Sequence, residues 1–187
     1  MKKKGGFSLI ELIVAIAIIG IVIFVGTDTY LTGLISSKKE YHKAQLSGDA
    51  RVVTEGMIGN IKLSSGVEDA FGAYTSNETT LILLLPAIDS SNNFIYEADQ
   101  QIFDRIIYFL AGNSLHKITL STNQLSRLYS QNESEHILLT NVKSVVFTYD
   151  ASPPNTNNVV INLTVQELKI NPPLEYNVNV KGILRNA

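Results

Sequence analysis

The side chains that could do acid–base chemistry are dispersed along this 187-residue chain. His42, His116 and His136 lie far apart, each beside a lysine or a glutamate, which favours exposed surface positions over metal ligation. The carboxylates of Glu68-Asp69 and of Glu97 and Asp99 are not paired with a nucleophile by any sequence pattern. The motifs G-x-S-x-G, G-x-x-x-x-G-K-[ST] and H-E-x-x-H do not occur. The sequence therefore predicts a protein that is not an enzyme and needs no cofactor.

Metal chemistry has one candidate, an oxygen-rich segment at residues 150–158. Asp150 is followed there by Ser152 and by three asparagines, a composition that could suit calcium. A single carboxylate among amide side chains offers too little negative charge for a hard dication. Pro153-Pro154 favours a simple turn. We therefore predict no metal site. The absence of cysteine excludes disulfides, thiolate zinc sites and cysteine nucleophiles.

The segment most informative about function is the N-terminus. Three lysines and Gly5-Gly6 precede Phe7, and an uncharged run extends from Leu12 to Thr27. Leu9 to Thr27 would span about 28 Å as a helix, close to the hydrocarbon thickness of a bilayer. The run is apolar on every side, which indicates a transmembrane helix rather than a surface helix. The preceding lysines predict a cytoplasmic N-terminus, with the rest of the chain across the membrane.

A cleaved secretory signal peptide is the first alternative for this segment. It would need small residues after the apolar run, but the run ends in Phe24-Val25-Gly26-Thr27-Asp28, a poor cleavage site. The small residues Gly5-Gly6 lie before the run instead. Cleavage there would remove the lysines and retain the membrane anchor.

These residues resemble the leader of type IV prepilins and pseudopilins, the subunits of helical filaments. Gly6 matches the residue before the cleavage point, Phe7 the new N-terminus and Glu11 the glutamate at the fifth mature position. The resemblance implies cleavage between Gly6 and Phe7 and N-methylation of Phe7 by a prepilin peptidase. It also implies assembly with other pilin or pseudopilin subunits on an inner-membrane platform. Loss of three lysines would leave 12 basic against 17 acidic residues, a net charge of −5.

Glu11 is the candidate assembly residue, because a carboxylate at the bilayer centre costs roughly 2.5–3.5 kcal/mol. By itself it could equally be a membrane-edge residue that snorkels to the lipid head groups. Cleavage would create a positive amine on Phe7, one helical turn away. That amine, or the same group on a neighbouring subunit, could neutralise Glu11 and fix the register of assembly.

The fold class that we predict is α+β and pilin-like. Residues 1–6 would form the leader, 7–27 the transmembrane half of a long N-terminal helix, and 28–65 its exposed amphipathic half. Leu34, Tyr41, Val53, Met57 and Ile61 mark the apolar stripe of that second half.

Residues 66–187 would form a β-rich head on which the helix packs. Alternating apolar and polar residues there indicate an antiparallel sheet. Predicted strands include Thr80–Leu85, Arg105–Leu110, and a hairpin of Ser114–Leu120 with Gln124–Tyr129.

A second, weaker resemblance covers residues 105–187. Segments such as Gly112-Asn113-Ser114-Leu115 and Leu138–Tyr149 look like the J-type minor pseudopilin of type II secretion, and related minor pilins share the pattern. The implied function is a structural subunit of a secretion pseudopilus or a related filament, stored in the inner membrane and assembled outside it.

Two alternatives remain. One is a minor pilin of a pilus or DNA-uptake system, although an acidic net charge disfavours nucleic acid as a partner. The other is an unprocessed, signal-anchored binding domain, which an intact residue 1–6 leader would favour.

Overall fold

The computed structural model describes residues 8–131, 134–168, 170 and 172–185. Within these ranges the chain forms one long helix, α1 (Leu9–Leu63), followed by strands in short antiparallel sheets. The predicted α+β class, with a long N-terminal helix, is confirmed. The strands are β1 (Gly66–Val67), β2 (Ala70–Phe71), β3 (Tyr74–Thr75), β4 (Thr80–Pro86), β5 (Tyr96–Glu97), β6 (Gln100–Gln101), β7 (Phe103–Ala111), β8 (Ser114–Leu120), β9 (Ser134–Leu139), β10 (Val142–Tyr149), β11 (Asn158–Glu167) and β12 (Leu174–Ile183).

The chain divides into two compact units, Met1–His42 and Lys43–Ala187. The described part of the first unit is helical from Leu9 onward, and its apolar side chains are exposed, Leu9 by 78% and Phe24 by 74%. An 18-residue window of α1 has a mean hydropathy of 3.0 and no buried residue. By length and composition this helix can cross a membrane.

The second unit contains two main sheets. The larger has five strands in the order β1-β4-β7-β8-β9, and the smaller has three in the order β10-β11-β12. All neighbouring strands in both sheets are antiparallel, as the alternating sequence pattern predicts. Two hairpins, β2-β3 and β5-β6, lie outside these sheets.

One core joins the C-terminal part of α1 to both sheets. Met57 and Ile61 of α1 are fully buried together with alternate residues of β4, β7 and β11. β11 alone contributes Val159, Ile161, Leu163 and Val165, while the residues between them are partly exposed. Complete burial of each such side chain contributes about 1.5–3 kcal/mol, so this packing stabilises the second unit.

The helix face that packs on the core differs from the predicted stripe. Val53 is partly buried at the core, but Leu34 and Tyr41 are exposed by 42% and 68%. Two residues that the prediction missed, Ala50 and Thr54, are buried. Thr54 can be buried because its hydroxyl donates to the Ala50 carbonyl at 2.8 Å. The buried face of α1 thus includes small and polar residues as well as large apolar ones. A prediction based on large apolar residues alone misses this part of the face.

The predicted strand Gln124–Tyr129 is wrong. The chain makes turns there, followed by a short 3-10 helix at Tyr129–Gln131, and β8 pairs with β9 instead. One side-chain and one backbone hydrogen bond account for the turns. Asn123 Oδ1 accepts from the Leu125 N–H at 2.8 Å, and the Asn123 backbone carbonyl accepts from the Ser126 N–H at 3.0 Å. Such local bonds compete with strand pairing.

Candidate functional site

The N-terminal end of α1 is closed by Ser8 and Glu11. The Glu11 N–H donates to Ser8 Oγ at 3.3 Å, and the Ser8 N–H donates to Glu11 Oε2 at 2.8 Å. The Ser8 carbonyl accepts the first helical hydrogen bond, from the Leu12 N–H at 3.3 Å. These bonds form a capping box, in which an N-cap serine and the glutamate three residues later satisfy each other's backbone donors.

The capping box fixes the direction of the Glu11 carboxylate. Since Oε2 accepts from Ser8, the carboxylate is turned toward the end of the chain that precedes α1. A negative charge in the first turn also interacts favourably with the helix dipole. Within the described residues, no lysine, arginine or histidine pairs with Glu11. Glu11 can therefore cap its own helix and still accept a cation at this end.

The two other predicted site residues, Gly6 and Phe7, lie outside the described residues. Phe7 immediately precedes Ser8, the N-cap. The predicted cleavage point, between Gly6 and Phe7, therefore falls one residue before the N-cap.

Comparison with protein families matches residues 1–27 to the prokaryotic N-terminal methylation motif. The chain carries the N-terminal motif of type IV prepilins and pseudopilins. No curated protein and no solved structure matches the chain. The matched segment contains the capping box and the first part of the apolar helix.

The motif supports a type IV pilin-like or pseudopilin subunit, since proteins with this motif are processed by prepilin peptidase and assemble with other pilin subunits. The pilin-type proteins that carry this motif are structural rather than enzymatic. An N-terminal apolar helix that begins within the motif also fits a single-pass membrane anchor.

Of the carboxylates considered for catalysis, Glu68 forms an ion pair, whereas Asp69, Glu97 and Asp99 are exposed. Arg105 donates to both oxygens of Glu68, from Nε at 2.6 Å and from Nη2 at 3.1 Å, and its guanidinium lies 4.2 Å from the centre of the Phe71 ring. Glu97 and Asp99 are exposed at the β5-β6 hairpin. Within the described residues, no group of three or more His, Asp and Glu side chains could hold a metal ion.

The histidines do not all occupy the predicted exposed positions. His136 is exposed, but the side chain of His116 is only 13% exposed, so that prediction is wrong for His116. The His116 ring stacks on Phe109, with ring centres 5.2 Å apart, and its Nδ1 lies 2.5 Å from Glu135 Oε1. His116 sits opposite Phe109 in the β7-β8 ladder, so strand pairing holds it there.

The oxygen-rich segment at 150–158 is organised by Asp150. Its Oδ1 accepts from the Thr156 hydroxyl at 2.6 Å and from the N–H groups of Asn157 and Asn158 at 2.9 and 3.0 Å. Its Oδ2 accepts from Asn158 Nδ2 at 2.6 Å. These donors hold the pKa of Asp150 well below its usual range, chiefly through Thr156 and the two backbone N–H groups. The carboxylate thus closes the loop between β10 and β11.

Sequence reasoning missed two arrangements. The capping box had a readable signal, because Ser8-x-x-Glu11 precedes an apolar run. The other is Asp104, a buried carboxylate that accepts from the Ser121 hydroxyl at 2.8 Å, from the Thr122 N–H at 3.2 Å and from the Ser126 hydroxyl. No local pattern joins Asp104 to serines 17 and 22 residues away, so only the fold reveals it.

Proposed function

We propose that the protein is a minor pseudopilin of a type II secretion pseudopilus or of a closely related type IV filament. The observation that carries the proposal is the methylation motif at residues 1–27 joined to an apolar helix of spanning length. The three lysines before the helix support an orientation with the N-terminus in the cytoplasm and the β-rich unit outside. The minor position rests on the resemblance of residues 105–187 to minor pseudopilins.

In this proposal, prepilin peptidase cleaves between Gly6 and Phe7 and methylates the Phe7 amine. The cleaved chain stays in the inner membrane by its apolar helix, in contact with lipid, until the assembly platform adds it to the filament. The capping box has a specific consequence for this step: the Glu11 carboxylate is turned toward the end where the new amine would form. The amine of a neighbouring subunit could approach Glu11 from that side.

Pairing of Glu11 with a neighbour's amine would fix the register between subunits. A shifted neighbour would leave two unpaired charges among apolar helices, and breaking a buried ion pair typically costs about 3–5 kcal/mol. In the single subunit, removal of the carboxylate would instead ease insertion. Glu11 is therefore expected to matter for assembly and not for insertion.

The test compares wild type with Glu11→Leu, Glu11→Gln and Glu40→Gln in membranes that contain the partner subunits. Glu40 is an exposed carboxylate farther along α1, so its variant is the matched control. Glutamine keeps a side-chain oxygen for the capping box but loses the charge. We expect all four chains to be inserted and cleaved, and both Glu11 variants to crosslink to partner subunits at least tenfold less than wild type and Glu40→Gln.

Each other outcome has a defined meaning. Normal crosslinking by Glu11→Gln alone would reduce Glu11 to a helix cap, and normal crosslinking by Glu11→Leu would reduce it to a membrane-edge residue. A wild-type chain that keeps residues 1–6 would overturn the proposed function in favour of a signal-anchored binding domain. Filaments made of this chain alone would contradict the minor position.

A further inference from the structure

A cavity of about 610 Å³ opens in the second unit, lined in part by Asn60 and Leu63 from the C-terminal end of α1. Its size is that of a ligand-binding cleft. Leu85 and Ile106 supply apolar wall, while Leu63 and Phe94 are 57% and 52% exposed. Apolar surface thus continues from the cavity wall to residues that remain open to solvent.

Lys117 lines this cavity from the inner face of β8. It lies two residues from both Leu115 and Thr119, which are fully buried, so it shares their face of the sheet. Its partner on β7 is Tyr108, whose buried hydroxyl accepts from Asn60 Nδ2 at 2.6 Å. Burial lowers the pKa of Lys117, because desolvation disfavours the ammonium form.

No carboxylate in the described residues forms an ion pair with Lys117. Two further cations, Arg127 and Arg185, line the same cavity. Arg127 is held in place by Asn92, whose Oδ1 accepts from Nη1 at 2.9 Å. A half-buried ammonium without a counter-charge is costly, and an incoming carboxylate would relieve that cost.

The one carboxylate among the described lining residues, Asp104, offsets only one of these three cations. Asp104 already accepts from Ser121, Thr122 and Ser126, which lie on the turn that follows β8. Three cationic side chains and one carboxylate leave the lining with an excess of two positive charges. The cavity therefore combines positive charge with apolar surface.

We propose that this cavity binds an acidic peptide segment in which an Asp or Glu is flanked by apolar residues. The carboxylate would pair with Lys117 and Arg127, and the flanking side chains would cover Phe94 and Leu63. A small free acid would neutralise the cations but leave those two apolar side chains exposed, so a peptide fits better. The site is separate from the N-terminal motif, and its failure would leave the proposed function untouched.

The test titrates the full chain in zwitterionic detergent micelles with the peptide Ac-Leu-Glu-(4-fluoro-Phe)-NH2, observed by 19F NMR. The matched probe replaces Glu by Gln and has the same apolar groups, which controls for partition into micelles. A charge-assisted contact predicts that the Glu peptide binds saturably and at least about tenfold more tightly than the Gln peptide. Lys117→Met and Arg127→Gln should each weaken the Glu peptide about tenfold, whereas Lys181→Met, an exposed lysine of β12, should not.

Lys117→Met also separates binding from folding. Removal of an unpaired half-buried ammonium should leave the unfolding temperature unchanged or higher, while binding is lost; Lys117→Arg should restore binding in part. Equal affinity of the Glu and Gln peptides would overturn the proposal. So would propionate that displaces the peptide at equal concentration, which would indicate a small-anion site. A dimer of the chain that Lys117→Met dissociates would assign the cavity to a second copy and would also overturn it.

Discussion

Gly182 of β12 approaches Ile61 of α1 so closely that a side chain on Gly182 has no room. A Cβ built on Gly182 would lie 2.7 Å from Ile61 Cγ2 and 3.0 Å from Cδ1. Ile61 is fully buried in the core and cannot turn aside without disturbing its neighbours. The contact therefore sets how closely the three-stranded sheet and this part of the helix pack within the second unit.

The first prediction is that Gly182→Ala destabilises the protein by about 1–3 kcal/mol, the usual cost of overpacking a core. The measurement is equilibrium unfolding in denaturant. The matched control is Gly59→Ala, because a Cβ on Gly59 meets nothing within 4 Å and alanine is the better helix former. Gly59→Ala should raise stability by about 0.5–1 kcal/mol.

A double-mutant cycle checks the cause of this effect. Ile61→Ala alone should cost about 2–5 kcal/mol, since it empties a buried site. Combined with Gly182→Ala, the total should fall short of the sum by at least about 1 kcal/mol, because the new methyl group enters the space that Ile61 vacates. Strictly additive costs would show that the two residues do not compete for the same space.

Periodicity in the sequence predicts the long helix and the strands β4, β7, β8 and β11, but not the close approaches within the fold. The alternation of Val159, Ile161, Leu163 and Val165 is sufficient to predict β11, because an apolar side chain at every second position indicates a strand with one buried face. Gly182 is small because Ile61 lies opposite it in space, and the sequence does not record that contact. The predicted strand after β8 is wrong for the same reason, since the serines of the turn there bind a carboxylate on β7.

The second prediction concerns the dependence of the sheets on α1. A chain that begins at Ser36 keeps Ala50, Met57 and Ile61, which are buried against both sheets. It should be soluble and unfold cooperatively, with no effect of reductant because there is no cysteine. A chain that begins at Val67 exposes the inner faces of both sheets and should aggregate. Equal solubility and equal unfolding temperatures of the two chains would contradict the packing of α1 on the core.

The third prediction concerns pH. In the folded chain the pKa of Asp150 is below its ordinary value of 3.8. The hydrogen bonds to its carboxylate therefore stabilise the fold above pH 3.8. This stabilisation is lost as the pH falls from 3.8 toward the pKa of the folded chain. Asp150→Asn should lower the unfolding temperature at pH 7, and the gap to wild type should narrow below pH 4. Asp99→Asn, at an exposed carboxylate, is the control and should leave a small gap at every pH. A gap for Asp150→Asn that does not change between pH 7 and pH 3 would refute the assigned cause.

The fourth prediction concerns processing at the N-terminus. Gly6 would occupy the position just before the cleaved bond, where a bulky side chain should block the peptidase. Insertion should be unaffected, because the three lysines and the apolar helix remain. We expect wild-type chain from membranes to begin at a methylated Phe7, and Gly6→Leu to retain Met1 in the same membrane fraction.

Intact-mass analysis distinguishes these two N-termini. Gly5→Leu is the control, since it adds the same bulk one residue farther from the junction and should still be cleaved. Cleavage of Gly6→Leu at the wild-type position would show that Gly6 does not define the junction, and a wild-type chain that begins at Met1 would show that residues 1–6 are not a leader.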